Sequence, residues 1–192
     1  EQFAGPLLDI YRGDVTIGFA RSLETVAQDF ALVKPHFCRT TPRFFEKIYS
    51  IVWSKADLLT GLSLDEFKNA LEISNRVVVE GDLYGRPVSD QDRQTHQAYA
   101  QNNYKNIKAL ALGGNIEFFV AGGAPLFKEI NEFFWCLGLP IYELYGMTET
   151  GGATTNRPGA RFGPPTQRSG VPEPHAPPES TGPHRQKRSR PF

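Results

Sequence analysis

Residues 116–146 constrain the fold more than any other stretch of the chain. Residues 116–121 form a short apolar run rich in β-branched and aromatic side chains, which is typical of a buried strand. Residues 126–137 repeat apolar side chains at helical spacing, with Pro125 at the first helical position. Residues 140–145 form a second apolar run. A strand, a helix and a strand joined by short connections predict a βαβ unit whose two strands are parallel neighbours.

Two turns of this unit are predicted at one edge of the sheet. Gly122-Gly123-Ala124-Pro125 follows the first strand, and Gly146-Met147-Thr148-Glu149 follows the second. Open α/β sheets bind ligands at the carboxyl ends of their strands. Glycines let backbone N–H groups approach an anion, and the start of the following helix favours negative charge. Thr148 adds a hydroxyl, Glu149 a hard oxygen ligand for Mg²⁺ and Tyr145 a flat face for a base, so the turns predict a nucleotide-phosphate site.

Each turn also has a simpler interpretation. Paired glycines are common in tight turns, tyrosines are common in cores, and a Thr-Glu pair can cap a helix. Short motifs also match by chance. The βαβ context makes the two turns together more informative than either turn alone.

The same residues resemble a known family. Residues 145–149, Tyr-Gly-Met-Thr-Glu, and residues 122–126, Gly-Gly-Ala-Pro-Leu, are similar to motifs of the adenylate-forming superfamily. That superfamily includes acyl-CoA synthetases, luciferases and the adenylation domains of peptide synthetases. Residues 22–25 and 42–48 are most similar to the long-chain fatty acyl-CoA synthetases. The resemblance covers about residues 1–158.

The resemblance implies an α/β fold and a reaction. Residues 1–155 would be part of the large AMP-binding domain, built from parallel βαβ units with a helical insertion at about residues 53–110. In this family, ATP and a fatty carboxylate form an acyl-adenylate and pyrophosphate, and the thiol of coenzyme A then displaces AMP. The implied partners are therefore small molecules, namely a fatty acid, ATP and coenzyme A, with Mg²⁺ as the metal ion.

Site roles follow from the resemblance, position by position. The implied nucleotide-binding residues are Gly122, Gly123, Ala124, Pro125, Glu143, Leu144, Tyr145, Gly146 and Thr148. The first four would line the adenine and acyl-carbonyl end of the pocket, and Tyr145 would stack in an adenine slot. Thr148 and Glu149 are the implied catalytic residues, because Thr148 would hold phosphate oxygens and Glu149 would hold Mg²⁺.

The chain departs from the family pattern in several places. Ala121 replaces a common Ser, Leu144 replaces a common Gly, and residues 39–41, Arg-Thr-Thr, replace an apolar stretch, which makes the burial of that strand doubtful. The 192 residues hold no phosphate loop ending in Pro-Lys-Gly, and they lack the ribose-binding Asp, the hinge and the small domain with its adenylation Lys. The chain also opens without Met. We therefore expect a fragment that is inactive alone.

The other secondary-structure predictions for residues 1–111 come from hydrophobic periodicity and from residues that start or end helices and strands. We expect helices at residues 3–11 and 23–33, strands at 15–20 and 36–40, and a helix starting at Pro42. Further predictions concern smaller features: Ser22 as a helix cap, Ser63 and Glu66 as a capping box, a loop at 81–88, a helix at 89–111, His96 on a solvated helix face and Cys136 as a buried thiol.

Residues 156–192 differ in composition from the rest of the chain. They carry nine of the fifteen prolines, and seven Lys and Arg against two Asp and Glu, which leaves fourteen against nineteen in residues 1–155. Such a segment buries too little to offset its ordering entropy, so we expect a disordered or frameshifted tail. A proline-motif ligand, or a basic patch for RNA, phospholipid or nuclear import, is the alternative.

Composition excludes some classes of function. The net charge is zero, so no nucleic acid partner is expected. Two cysteines make neither a disulfide framework nor a metal cluster. No apolar run has membrane-spanning length, and no signal peptide is visible, which favours a cytoplasmic protein, with peripheral membrane contact as an option. Two alternatives to the long-chain ligase stay open: a ligase for another carboxylic acid, and a non-catalytic nucleotide-binding or adaptor protein with a basic tail.

Overall fold

A four-stranded sheet organises the part of the chain that the computed structural model describes, residues 15–147 and 151–155. The strands are β1 (Phe37–Thr40), β2 (Phe118–Gly122), β3 (Ile141–Met147) and β4 (Gly151–Thr155). They lie side by side in chain order; β1, β2 and β3 are parallel, and β4 is antiparallel to β3. The predicted α/β class is confirmed. The helix predicted at residues 3–11 and the tail at 156–192 lie outside the described residues.

Helices fill the connections between the strands. They are α1 (Val26–Val33), α2 (Pro42–Ser54), α3 (Ala56–Thr60), α4 (Leu64–Ser74), the π-helix π1 (Asn75–Leu83), α5 (Asp90–Tyr99), the π-helix π2 (Ala100–Tyr104), α6 (Lys105–Leu112) and α7 (Lys128–Cys136). Within the described ranges, every helix is too short or too polar to cross a bilayer.

The βαβ prediction is confirmed, with one shifted boundary. β2, α7 and β3 form the unit, and Phe119 aligns with Ile141 across the parallel pair. However, α7 begins at Lys128, because the backbone of Phe127 is extended. Pro125 therefore lies in the turn before the helix, and its prediction as the first helical residue is wrong.

Two predictions near the start of the described residues are also wrong. Residues 15–20 are irregular, because they pair with no strand in the described part of the chain. Helix α1 starts at Val26, one turn later than predicted, since the Ser22 hydroxyl accepts the Thr25 N–H at 3.2 Å and closes a turn first. Strand β1 and helix α2 form as predicted, and the exposed Arg39 leaves β1 only partly buried.

The predicted helical insertion is helical, and its details differ from expectation. The capping box is confirmed, because Ser63 Oγ accepts the Glu66 N–H and the Glu66 carboxylate accepts the Ser63 N–H at 2.9 Å. The predicted loop at residues 81–88 begins only at Tyr84, because π1 continues through Leu83. Residues 90–112 are continuously helical as predicted, although π2 interrupts the α-helical pattern.

The sequence predicts that His96 lies on a solvated helix face. This prediction is wrong, because His96 is half-buried. Its Nδ1 lies 2.9 Å from the Ser74 hydroxyl, which also lies 2.9 Å from the Tyr104 hydroxyl and donates to the Ala70 carbonyl at 2.8 Å. This polar cluster joins α4, α5 and π2. Burial lowers the pKa of His96, with the Asp82 carboxylate acting in the opposite direction.

Aromatic side chains form the centre of the core. Phe45 of α2 is fully buried, and its ring centroid lies 5.3 Å from that of Phe119 on β2 and 5.4 Å from that of Phe134 on α7. All three pairs that join Phe45 to Phe119, Phe134 and Phe44 are edge-to-face, a geometry that adds attraction beyond apolar burial. The cluster therefore fixes α2 and α7 on the same face of the sheet.

Cys136 is a buried thiol, as predicted. Burial raises the pKa of Cys136 to about 12 and that of the half-buried Cys38 to about 11. Both side chains are therefore protonated, unreactive thiols at neutral pH.

The first testable prediction concerns the aromatic core. We expect Phe45→Ala to lower the free energy of unfolding by about 3–5 kcal/mol, because it leaves a cavity between three elements. The control is Phe19→Ala, whose side chain is 79% exposed. Urea denaturation checks both variants, and equal losses would contradict the assignment of the core.

The second prediction concerns pH. The lowered pKa of His96 means that the unfolded chain takes up a proton there before the folded chain does, so stability should fall as pH drops below about 6.5, the ordinary value. His96→Asn keeps a hydrogen-bonding group and should reduce the loss of melting temperature between pH 7 and pH 5.5. The exposed His36 provides the control variant, His36→Asn, which should leave that loss as it is.

Candidate functional site

The carboxyl ends of three parallel strands meet at one edge of the sheet. Thr40 aligns with Ala121, and Gly122 aligns with Leu144, so the turns after β1 and β2 emerge next to each other. Strand β3 continues to Met147, beyond the level at which β2 ends. This edge is where open α/β sheets bind their ligands.

A cleft of about 350 Å³ opens between these two turns. Its described lining residues are Thr41, Pro42, Arg43, Glu46, Gly123, Ala124 and Pro125. The structure thus brings three of the predicted nucleotide-binding residues, Gly123, Ala124 and Pro125, to the start of α2. Glu143, Leu144, Tyr145 and Gly146 are not among the described residues that line it.

Sequence reasoning missed the contribution of α2 to this cleft. Pro42, Arg43 and Glu46 belong to the segment 42–48, which supported the resemblance but received no role in the site. Their part in the cleft depends on the pairing of β1 with β2, which places residue 37 beside residue 118. No local pattern in the sequence records such a distant pairing.

The cleft can hold an anion. Helix α2 has thirteen residues and starts at the cleft, so the positive end of its dipole and the Arg43 guanidinium both favour negative charge there. Thr41 and Glu46 add hydroxyl and carboxylate oxygens, which are the donor types that Mg²⁺ prefers. The donor set therefore suits a phosphate group with its cation. Within the described ranges, the cleft included, no cluster of three or more His, Cys, Asp or Glu could hold a metal ion.

The Gly-Gly-Ala-Pro turn needs its two glycines for different reasons. Gly123 has a φ of +87°, in the left-handed region, where a side chain is strained. Gly122 lies against β3, so a Cβ there would be 3.3 Å from the carbonyl oxygen of Leu144. Ala124 and Pro125 are exposed, while Leu126 is buried and anchors the end of the turn.

Glu143 lies beneath this turn on β3 and is half-buried. Burial raises the pKa of Glu143, and the nearby Leu126 backbone N–H acts in the opposite direction.

Tyr145 is 54% exposed near the end of β3, and Leu144 is exposed beside it. The pairing of β3 with β4 is irregular between Tyr145 and Gly146, since Tyr145 aligns with Thr154 and Gly146 aligns with Gly152. Such bulges often lie next to binding sites, where they redirect a side chain. Thr148 and Glu149, the two predicted catalytic residues, lie outside the described residues.

Comparison with known proteins shows the family to which the chain belongs. A family model described as "AMP-binding enzyme" matches residues 11–183. The chain belongs to this AMP-binding family. The predicted resemblance to the adenylate-forming superfamily is thereby confirmed.

Relatives in the AMP-binding family include two long-chain ligases. The chain is 30% identical to "Long-chain-fatty-acid–CoA ligase FadD15" of Mycobacterium bovis, over 74% of this chain and 23% of the relative. It is 31% identical to the human "Long-chain-fatty-acid–CoA ligase ACSBG2", over 68% of this chain and 19% of the relative. The chain therefore spans about a fifth of the length of the curated relatives it matches.

One solved structure is also similar. It is the A-PCP didomain of carboxylic acid reductase from Segniliparus rugosus in complex with AMP, which is 20% identical with a TM-score of 0.39. The match covers 72% of this chain and 15% of that structure.

The third prediction tests the Gly-Gly-Ala-Pro turn. We expect Gly123→Ala to lower the free energy of unfolding by about 1–2 kcal/mol, because alanine is strained at a positive φ. Ala124→Ser, at an exposed position of the same turn, should change it by less than about 0.5 kcal/mol. If urea denaturation gives the same result for both variants, the left-handed conformation of Gly123 is wrong.

Proposed function

We propose that the chain forms part of an ATP-dependent long-chain fatty acid–CoA ligase. Such an enzyme joins a fatty acid to AMP with release of pyrophosphate, and then transfers the acyl group to coenzyme A. Membership of the AMP-binding family and the names of the relatives support this proposal. The observation that carries it is the cleft at the carboxyl edge of the sheet, between the Gly-Gly-Ala-Pro turn and the start of α2.

The chemistry of the first step suits this cleft. An oxygen of the fatty carboxylate attacks the α-phosphorus of ATP, an O–P bond forms, and the bond to pyrophosphate breaks. Because both reactants are anionic, the site must supply positive charge where they meet. In this proposal the Arg43 guanidinium and the start of α2 supply part of it. Bound Mg²⁺ would neutralise further phosphate charge.

The other predicted residues complete the proposed nucleotide site. Gly122 and Gly123 would allow close approach of the nucleotide and the acyl carbonyl. The exposed ring of Tyr145 offers a surface on which adenine can stack, with Leu144 and Gly146 beside it. Thr148 would bind phosphate oxygens and Glu149 would bind Mg²⁺. In the second step, the thiol of coenzyme A would attack the acyl carbonyl and release AMP.

We further propose that these residues need the rest of a ligase to complete the reaction. The chain spans only 23% and 19% of the lengths of the two relatives, so other segments would supply the remaining groups. We therefore expect the 192-residue chain alone to form no acyl-adenylate. We also propose that the protein is cytoplasmic and collects its acyl substrate at a membrane surface. This location suits a long-chain acid, because the affinity of such an acid for a bilayer grows with each buried CH₂.

The experiment is ATP–pyrophosphate exchange by the complete protein that contains this chain. Palmitate, octanoate and benzoate are compared as the acid. Exchange that is fastest with palmitate supports the proposal. Exchange that is fastest with octanoate or benzoate would show that the ligase prefers another carboxylic acid. The absence of exchange with every acid overturns the ligase function.

The fourth prediction tests Glu149 in the same assay. We expect Glu149→Ala to abolish pyrophosphate exchange while the circular dichroism spectrum stays unchanged, because the variant loses an oxygen ligand for Mg²⁺. Glu129→Ala, on the exposed first turn of α7, is the matched control and should retain exchange. Normal exchange in Glu149→Ala would remove this residue from the site.

A further inference from the structure

A buried serine hydroxyl joins three helical segments outside the cleft. Ser74 is the last residue of α4, and it is fully buried. Its Oγ lies 2.8 Å from the Ala70 carbonyl oxygen, 2.9 Å from the Tyr104 hydroxyl and 2.9 Å from His96 Nδ1. We call these four residues the Ser74 cluster. None of them lines the cleft, so the proposed nucleotide site gives the cluster no role.

The Ser74 cluster lies where helices change between α and π geometry. Ser74 directly precedes π1, and Tyr104 is the last residue of π2 before α6. His96 and Tyr104 are eight residues apart, so in an unbroken α-helix they would point about 80° apart around the axis. The turns of a π-helix are wider, so each residue of π2 rotates by less and brings Tyr104 back toward the direction of His96. Both side chains therefore reach the same hydroxyl.

The hydrogen bonds of the Ser74 cluster can be assigned by counting protons. A serine hydroxyl has one proton to donate and two lone pairs with which to accept. The Ala70 carbonyl oxygen carries no proton, so the proton between two oxygens 2.8 Å apart is that of Ser74. The hydroxyl can then only accept from its two other neighbours. Tyr104 therefore donates its O–H to Ser74, and His96 donates an N–H from Nδ1.

The surroundings of the Tyr104 hydroxyl agree with this assignment. Tyr104 is 1% exposed, and among the described residues Ser74 is the only hydrogen-bonding partner of its hydroxyl. A buried phenol that donated to nothing would leave its proton without an acceptor, which is costly. Burial also raises the pKa of Tyr104, so the phenol keeps this proton at neutral pH.

A serine beside a histidine is also the arrangement of nucleophilic catalysis. In that arrangement the serine donates its proton to the histidine, and the serine oxygen is open to the substrate. Here the Ser74 proton goes to Ala70, and the Ser74 side chain is closed to solvent. The Ser74 cluster therefore has the chemistry of a conformational device and not that of a hydrolytic site.

We propose that the Ser74 cluster is a conformational latch, in which Ser74 accepts hydrogen bonds from Tyr104 and from the Nδ1–H of His96 and so holds the α-to-π junctions of the helical insertion together. Neutral His96 is then the Nδ1–H tautomer, with its free lone pair on Nε2. The latch stands on the structure alone and does not depend on the proposed ligase function.

This tautomer decides what acid does to the latch. Because Nδ1 already holds a proton, the second proton of His96 enters at Nε2, and the bond to Ser74 survives. The cost of acid is then a positive charge on a half-buried ring. Tyr104 on π2 is neutral, and Asp82 on π1 favours the charged ring. The other charged groups on the adjoining faces of π1 and α5 form ion pairs at 3.1 Å, Arg93 with Asp82 and Arg76 with Asp92.

The fifth prediction concerns the backbone around the latch. Ser74→Ala leaves two donors without their acceptor, so amide hydrogen exchange at Asn75 and Tyr104 should accelerate by about tenfold in the 192-residue chain. Ser54→Ala is the matched control, because Ser54 also donates to a carbonyl of its own helix, at 3.0 Å, but is exposed. It should leave both amides unchanged. The amide of Phe45, in the core, shows whether a variant has merely lost global stability.

Nitrogen NMR of the histidine rings tests the tautomer directly. At neutral pH we expect a proton on Nδ1 of His96 and none on Nε2. The exposed His36 in the same spectrum is the reference for a ring whose tautomer is set by water. Ser74→Ala should move His96 toward the tautomer of His36. Tyr104→Phe should leave His96 as it is, because Ser74 still directs its proton to Ala70.

Two results would overturn the latch. The first is a neutral His96 that carries its proton on Nε2, which is decided in the unchanged chain whether or not Ser74→Ala folds. The second is exchange at Asn75 and Tyr104 that is equal in Ser74→Ala and Ser54→Ala, or that accelerates in Ser74→Ala no more than exchange at Phe45 does. A proton on Nδ1, together with local acceleration in Ser74→Ala alone, supports the latch.

Discussion

The packing of Phe45 between the sheet and α7 is the interaction on which the rest of the structure depends. It places α2 and α7 on one face of the sheet, with both helices starting at the carboxyl edge. The cleft exists because the start of α2 and the turn that precedes α7 are adjacent. A buried aromatic ring contributes about 1.5–3 kcal/mol through apolar burial, more than any exposed ion pair at the surface. The residues that line the cleft are therefore held in place by an apolar cluster that does not itself line it.

Local sequence patterns were sufficient to predict much of this fold. The strand–helix–strand unit, the capping box at Ser63 and the strand β1 followed from side-chain periodicity and from residues with strong conformational preferences. The errors came from contacts between distant residues. Helix α7 starts late because Phe127 is extended and the buried Leu126 just before it packs into the core. His96 is half-buried because it contacts Ser74, which lies 22 residues earlier in the sequence, on another helix.

The site shows the same division between local and distant information. Gly123, Ala124 and Pro125 could be predicted, since glycines after a strand in a βαβ unit mark a ligand edge, and the cleft contains them. Arg43 and Glu46 could not, because their place depends on which strand pairs with β2. Family membership is established. The roles of Thr148 and Glu149 stay predictions, because these residues lie outside those described. The domain boundary near residue 155 also stays a prediction, because no observation tests it.

The order of the strands also bears on how the protein folds. Only 18 residues separate β2 from β3, whereas 77 residues separate β1 from β2. The entropy lost on closing a loop grows with its length, and proteins rich in distant contacts fold slowly. The β2–α7–β3 unit should therefore assemble early, and β1 should join it only after the helices between them have collapsed. Because Thr41 and the start of α2, which directly follow β1, supply one wall of the cleft, the candidate site would be among the last parts of the molecule to form.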